Sequence, residues 1–172
     1  CSLQENEDRL TKSAFIEYDR KGNVKRSRFV NGVIRSTKRL TYGDATKMLD
    51  GKGGRFSPKV KGLVKAMERL ARVIQQRRLD DGMLTLDLPE IELVLDDRGK
   101  VTGTAPADTS FSHTIIEMFM VEANEAAARL LNRFKVPYLR RIHPEPDGAT
   151  GQKLTQFVKV LGHALPKKAD RK

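Results

Sequence analysis

Tryptophan is absent, cysteine occurs once, and aromatic residues make up 6% of the 172 positions, so neither a disulfide scaffold nor an aromatic-rich core is available. The lone Cys1 excludes an intramolecular disulfide and leaves no thiolate set for a structural zinc site. That usage fits a reducing cytosol. His113, His143 and His163 are not spaced as zinc ligands either. No stretch approaches the roughly 18 apolar residues of a membrane span, and no signal-peptide pattern is visible. A GxSxG elbow is missing, as is a GKS/T sequence after Gly51-Lys52-Gly53-Gly54, which therefore reads as a plain loop.

Positive charge is what the chain has in excess. Lys and Arg total 33 against 22 Asp and Glu, a net charge of +11. Such a balance suits a polyanion binder, with nucleic acid the first candidate, and it also serves colloidal solubility alone. With 38% hydrophobic and 32% charged residues, one compact core under an ionic surface is expected. At this length, folding removes roughly 70% of the unfolded surface from water.

Lys12 to Tyr18 and Val24 to Arg35 read as strands joined by the turn residues Asp19-Arg20-Lys21-Gly22-Asn23. Thr41 is the expected N-cap of a short helix from Tyr42 to Leu49. Ser57-Pro58 opens the longest helix, in which Val60, Leu63, Val64, Met67, Leu70, Ala71 and Ile74 recur at helical spacing. Lys59, Lys61, Lys65, Arg69, Arg72, Arg77 and Arg78 are left for its outer surface, which is either simply solvated or turned towards RNA phosphates. Leu84 to Leu88 alternates like a strand. Ile91 to Leu95, the turn Asp96 to Lys100, and Val101-Thr102 predict a second antiparallel unit. Thr109 or Ser110 caps an apolar helix through Ile115, Ile116, Phe119, Met120, Ala123, Ala127, Leu130 and Leu131. Pro137 to Ile142 reads as a short strand and Lys153 to Leu161 as a last helix, before a flexible basic tail over residues 166–172. The fold class is therefore α+β, antiparallel hairpins packed against two long helices near 58–78 and 110–133.

A two-metal nuclease needs several carboxylates around two cations about 4 Å apart. No dense Asp cluster occurs, and Asp80-Asp81 and Asp96-Asp97 sit at turns. The residues alone thus offer a basic binding surface without a visible catalytic engine.

Four ordered segments carry a resemblance. They are Cys1-Ser2-Leu3 with Asp8-Arg9-Leu10 and Leu40-Thr41-Tyr42; Arg78-Leu79-Asp80-Asp81-Gly82-Met83-Leu84-Thr85-Leu86-Asp87-Leu88-Pro89-Glu90; His113-Thr114-Ile115-Ile116-Glu117 through Ala123-Asn124; and Leu139-Arg140-Arg141-Ile142-His143-Pro144-Glu145-Pro146. Together they resemble the interior of the RNB catalytic domain of the ribonuclease II and ribonuclease R family, over nearly the whole chain. The resemblance implies that residues 1–172 form a single partial RNB domain of a cytoplasmic 3′→5′ hydrolytic exoribonuclease. Its partner would be single-stranded RNA, its cofactor Mg²⁺, and its products nucleoside 5′-monophosphates. It also implies that the family's magnesium-binding Asp-x-Asp-Asp cluster, its Thr-Ser-Pro-Ile-Arg-x-Tyr segment and the flanking OB-fold domains are outside these residues, which would leave this stretch inactive alone.

By the same resemblance the RNA-binding residues are Tyr42 and Glu117, where the family senses the ribose 2′-hydroxyl, and Leu86, where some relatives carry a base-stacking phenylalanine. The 2′-hydroxyl distinguishes RNA from DNA, and a phenol and a carboxylate can both bond to it. Tyr42 can equally be a half-buried anchor and Glu117 an ordinary helix-face carboxylate. Leu86 packs against a base less well than an aromatic ring does, and Met118 replaces a second glutamate. Two other readings remain: a noncatalytic RNA-binding module, and a hydrolase that uses Cys1 with its free amine as base.

Overall fold

The computed structural model describes residues 2–85, 88–142, 144 and 147–165, and it divides into one compact unit up to Phe134 and another from Lys135. Strands β1 (Asp8–Tyr18) and β2 (Val24–Arg35) form an antiparallel hairpin in register from Asp8↔Arg35 to Tyr18↔Val24, with a bulge at Glu17/Tyr18. The pairing starts earlier than the expected Lys12 because Arg35 on β2 reaches the Asp8 carboxylate at 2.7 Å. The Asp19 carboxylate makes the turn, accepting the N–H groups of Lys21 at 2.8 Å and Asn23 at 2.9 Å. Gly22 adopts φ +82°, and a Cβ there would meet the Val73 carbonyl oxygen at 3.1 Å, so only glycine both makes the turn and lets it touch the next long helix.

Helix α1 (Tyr42–Leu49) opens with a reciprocal capping box. Thr41 Oγ1 accepts the Asp44 N–H at 3.1 Å, and the Asp44 carboxylate accepts the Thr41 N–H at 3.3 Å. Helix α2 (Pro58–Asp80) starts as the sequence predicts, with Ser57 as N-cap and proline in the first turn. Strands β3 (Ile91–Leu95) and β4 (Val101–Pro106) form the second hairpin. Its turn repeats the first, the Asp96 carboxylate accepting the N–H groups of Arg98 and Lys100 at 2.9 Å. Helix α3 (Phe111–Arg133) follows. The α+β architecture of helices with two antiparallel hairpins is the expected one.

The two long helices bury their apolar faces on each other. Ala71 and Ile74 of α2 meet Ile115 and Met118 of α3, with Tyr18, Leu49 and Phe119 packed around them. A second cluster joins Met48 of α1 to Phe56 and Val64. The Gly51–Gly54 loop crosses Met48 so closely that a Cβ on Gly53 would lie 2.6 Å from Met48 Cγ.

One polar group is sealed into this apolar seam. Glu122 of α3 is 3% exposed. Its carboxylate accepts hydrogen bonds from Tyr18 Oη at 3.2 Å, from Arg77 Nη2, and from Arg78 Nη1 at 3.2 Å. Arg77 Nη1 also donates to the Gly22 carbonyl at 2.8 Å, and Arg78 Nη1 to Glu125 at 2.7 Å. Burial and the Glu122 charge push the Tyr18 phenol well above the ordinary tyrosine range, which keeps it a neutral donor.

Several expectations are corrected. Arg77 and Arg78 do not belong to the outer basic face of α2: helical spacing from Ala71 and Ile74 carries Arg78 onto the inward stripe, and both arginines meet Glu122. The second hairpin is less embedded than expected, for every residue of β3 is exposed. In the run Leu84 to Leu88, residues 84, 85 and 88 lie in no strand, and Leu86 and Asp87 are outside the described residues. Pro137 to Ile142 is irregular rather than a strand, with Leu139 and Ile142 exposed. The last helix, α4 (Gly148–Val160), begins before the expected Lys153 because the Asp147 carboxylate accepts the Thr150 N–H at 2.7 Å and so sets the start. Residues 166–172 are outside the described set.

Glu122→Ala would strand two guanidinium groups that are 14% and 22% exposed. We expect a loss of about 3–5 kcal/mol of unfolding free energy, measured by urea denaturation, with a smaller loss for Glu122→Gln.

Candidate nucleic-acid interface

Tyr42 is the first residue of α1, so no earlier turn of its own helix supports its ring. The ring packs on α3 instead. It stacks on the His113 imidazole with centroids 3.7 Å apart and planes at 20°. His113 Nε2 lies 3.3 Å from the Asp108 carboxylate, which also accepts the Ser110 N–H at 2.9 Å. Asp108 thereby fixes the residue at which α3 begins without capping the helix itself. Ser110 occupies the N-cap position but makes no side-chain cap bond.

The Ser110 hydroxyl also meets α1. Thr46 Oγ1 of α1 lies 2.9 Å from Ser110 Oγ and 3.0 Å from Ser112 Oγ, and the two serine oxygens are 2.9 Å apart. The buried Ser112 oxygen thus has two hydroxyl partners. The triangle ties α1 to the start of α3, and Thr46 stands one helical turn beyond Tyr42.

Tyr42 remains 43% exposed and lines an open cleft of about 540 Å³. Leu40, Met67, Ile115 and Ile116 give the cleft apolar walls, and Arg39 stands at its side. Glu117 lies four residues after His113, hence on the same side of α3 one turn on. It is exposed and forms no ion pair among the described residues. Of the three residues expected to touch RNA, Tyr42 and Glu117 thus flank the same half of α3, and Leu86 is outside the described residues. His113 had no RNA role in the sequence reading. Its spacing from Glu117 was visible there, but the stack requires α1 to dock on α3.

Basic residues extend along α2. Lys61, Lys65, Arg69 and Arg72 fall within one face at helical spacing, and Lys65, Arg69 and Arg72 are exposed. Arg72 is bonded to Glu68 at 2.7 Å and its guanidinium lies over the Phe111 ring at 3.9 Å, so it is held rather than free.

Among the described residues no three His, Cys, Asp or Glu side chains come together as a metal site. Several acidic groups are engaged by arginines, as Glu122 is, or by turns and caps, as Asp19, Asp96 and Asp147 are. This donor set does not fit a two-cation hydrolytic centre. Cys1 is outside the described residues.

Comparison with known proteins fixes the family. The RNB domain matches residues 1–172. Ribonuclease R of Aquifex aeolicus is 34% identical over 167 residues, covering 96% of this chain and 24% of that protein. Ribonuclease R of Thermotoga maritima is 32% identical over 165 residues, covering 94% and 23% respectively. Mycoplasma genitalium RNase R in complex with ribose methylated single-stranded RNA superposes with a TM-score of 0.90 at 28% identity, over 98% of this chain and 26% of that one. The same enzyme in complex with double-stranded RNA also gives 0.90. The chain belongs to the RNB domain family, and it spans about a quarter of the length of the ribonuclease R relatives it matches.

The Ser110 N–H and hydroxyl, and then His113, hold the Asp108 carboxyl below its ordinary range. Because its folded-state value lies below the unfolded value of about 3.9, its stabilisation is complete above that pH and is lost as pH falls through the folded value. We expect the protection of the Ser110 amide, its NMR exchange rate taken relative to the intrinsic rate at each pH, to fall as the pH drops through the folded-state value of Asp108, and Asp108→Asn to abolish this step.

Proposed function

We propose that this chain is the channel-wall portion of the RNB catalytic domain of a cytoplasmic, Mg²⁺-dependent exoribonuclease that shortens single-stranded RNA processively from its 3′ end. In that reaction a water oxygen joins the terminal phosphorus, the P–O3′ bond to the preceding nucleotide breaks, and the freed 3′ oxygen takes a proton. The product is a nucleoside 5′-monophosphate. The cation ligands come from other parts of the parent protein, together with the remainder of the domain and its flanking OB folds. These 172 residues supply grip and selection.

The carrying observation is an exposed phenol, Tyr42, at a cleft beside α3, with Glu117, exposed and without an ion pair among the described residues, one helical turn beyond the His113 on which that phenol stacks. A phenol can donate to or accept from a ribose 2′-hydroxyl, and a carboxylate can accept from it. A deoxyribose offers neither bond. The face of Lys61, Lys65 and Arg69 suits the phosphate backbone, to which such groups bind through counterion release. Apolar walls of Leu40, Met67 and Ile116 can cover a base face. The similarity to an RNase R seen with ribose methylated single-stranded RNA supports the same substrate class.

Two measurements test this reading. With 5′-labelled single-stranded RNA and Mg²⁺ on a sequencing gel, the chain alone should leave the RNA intact while the parent enzyme shortens it stepwise; stepwise shortening by the chain alone would overturn the division of labour. In the parent enzyme, Tyr42→Ala should reduce the preference for RNA over a 2′-deoxy strand by about 2- to 10-fold, the worth of one hydrogen bond. An unchanged preference would remove Tyr42 from ribose recognition.

A further inference from the structure

We infer that His113 is a positioning residue for RNA selection: it holds the Tyr42 ring so that the phenol is presented at a fixed direction to the ribose, and Asp108 holds His113. The inference rests on the reading of Tyr42 as the ribose contact and adds the machinery behind it.

Tyr42 needs such support. A tyrosine ring turns in a broad, roughly two-fold torsional well about its last side-chain bond. As the first residue of α1 it has no preceding helical turn to lean on. Its hydroxyl forms no hydrogen bond among the described residues, so the oxygen is not what fixes it. The face of the ring does that, against His113 at 3.7 Å and 20°. Near-parallel contact at this distance holds ring plane and tilt while leaving the hydroxyl open to a ligand.

The imidazole is itself held at two levels. Its Nε2 meets the Asp108 carboxylate at 3.3 Å, and that carboxylate is tied to the backbone by the Ser110 N–H at 2.9 Å. Below the stack, the Thr46–Ser110–Ser112 triangle sets the spacing between α1 and the start of α3. Ring, imidazole, carboxylate and backbone therefore form a chain of contacts running away from the cleft. Glu117 lies on the turn of α3 after His113, so one helix segment carries both the support for the phenol and the second ribose candidate.

A purely structural histidine would change folding and leave selection alone. One that touches RNA directly would act independently of Tyr42. Positioning predicts neither pattern, and three readings separate the cases. In the 172-residue chain without RNA, labelled tyrosine NMR should show the Tyr42 ring flipping faster and losing its stacking shift in His113→Ala, while His113→Phe keeps both; an unchanged ring in His113→Ala overturns the inference whatever RNA does. In the parent enzyme, His113→Ala should lower discrimination between RNA and a 2′-deoxy strand by about 2- to 10-fold, as Tyr42→Ala does, and His113→Phe should restore most of it. The double variant should be no worse than Tyr42→Ala alone, whereas additive losses would mean direct contact and overturn positioning. If Tyr42→Ala leaves discrimination intact but His113→Ala still frees the ring, the ribose reading fails and the mechanical link survives. A thermal melt for each variant excludes unfolding as the cause.

Discussion

A carboxylate buried between two arginines and a tyrosine holds the first hairpin and the two long helices to one another. Glu122 belongs to α3, Arg77 and Arg78 to α2, and Tyr18 to β1, so one acidic group is shared by three elements. Arg77 extends the tie to the Gly22 carbonyl at the hairpin turn. Burying a charge is costly unless its partners are in place, and this site supplies them from elements far apart in sequence. The apolar contacts of Ala71, Ile74, Ile115 and Met118 drive α2 and α3 together but tolerate sliding. The directional bonds to Glu122 suit only one register.

That register reaches the proposed interface. With α3 fixed on α2, the start of α3 presents Ser110, Ser112 and His113 towards α1, and the hydroxyl triangle and the ring stack seat α1 there. Tyr42 then lines a cleft whose walls come from α1, α2, α3 and the segment before α1. In the proposed role, selection by a single phenol would depend on small angles, set through ring, imidazole and hydroxyls by helix packing.

The local part of this design was legible in the sequence. Asp19 and Asp96 followed by glycine announced the turns, Thr41 and Ser57-Pro58 the helix starts, and the spacing from Val60 to Ile74 the inward face of α2 except at Leu63, which is exposed, because each signal sits within a few residues of what it controls. Readings that required a distant partner went astray. Arg77 and Arg78 looked like surface because arginine usually is, and only Glu122, on another helix, turns them inward. Pro137 to Ile142 has strand-like composition, yet among the described residues it pairs with no strand. Tyr42 and Glu117 were singled out by family resemblance alone, whereas the stack of His113 on Tyr42 emerged only once α1 and α3 were set side by side.

The exposure of β3 has a kinetic consequence. Hairpins of this kind close in about 1–10 μs, and one without core contacts is only marginally stable in water. The β3–β4 ladder is therefore coupled weakly to the slower, cooperative assembly of α2 and α3. Its order is set by the Asp96 turn and a few cross-strand contacts, and it can open and close many times during the life of the helical core. The chain contains two clocks, a fast one at this hairpin and a slow one at Glu122.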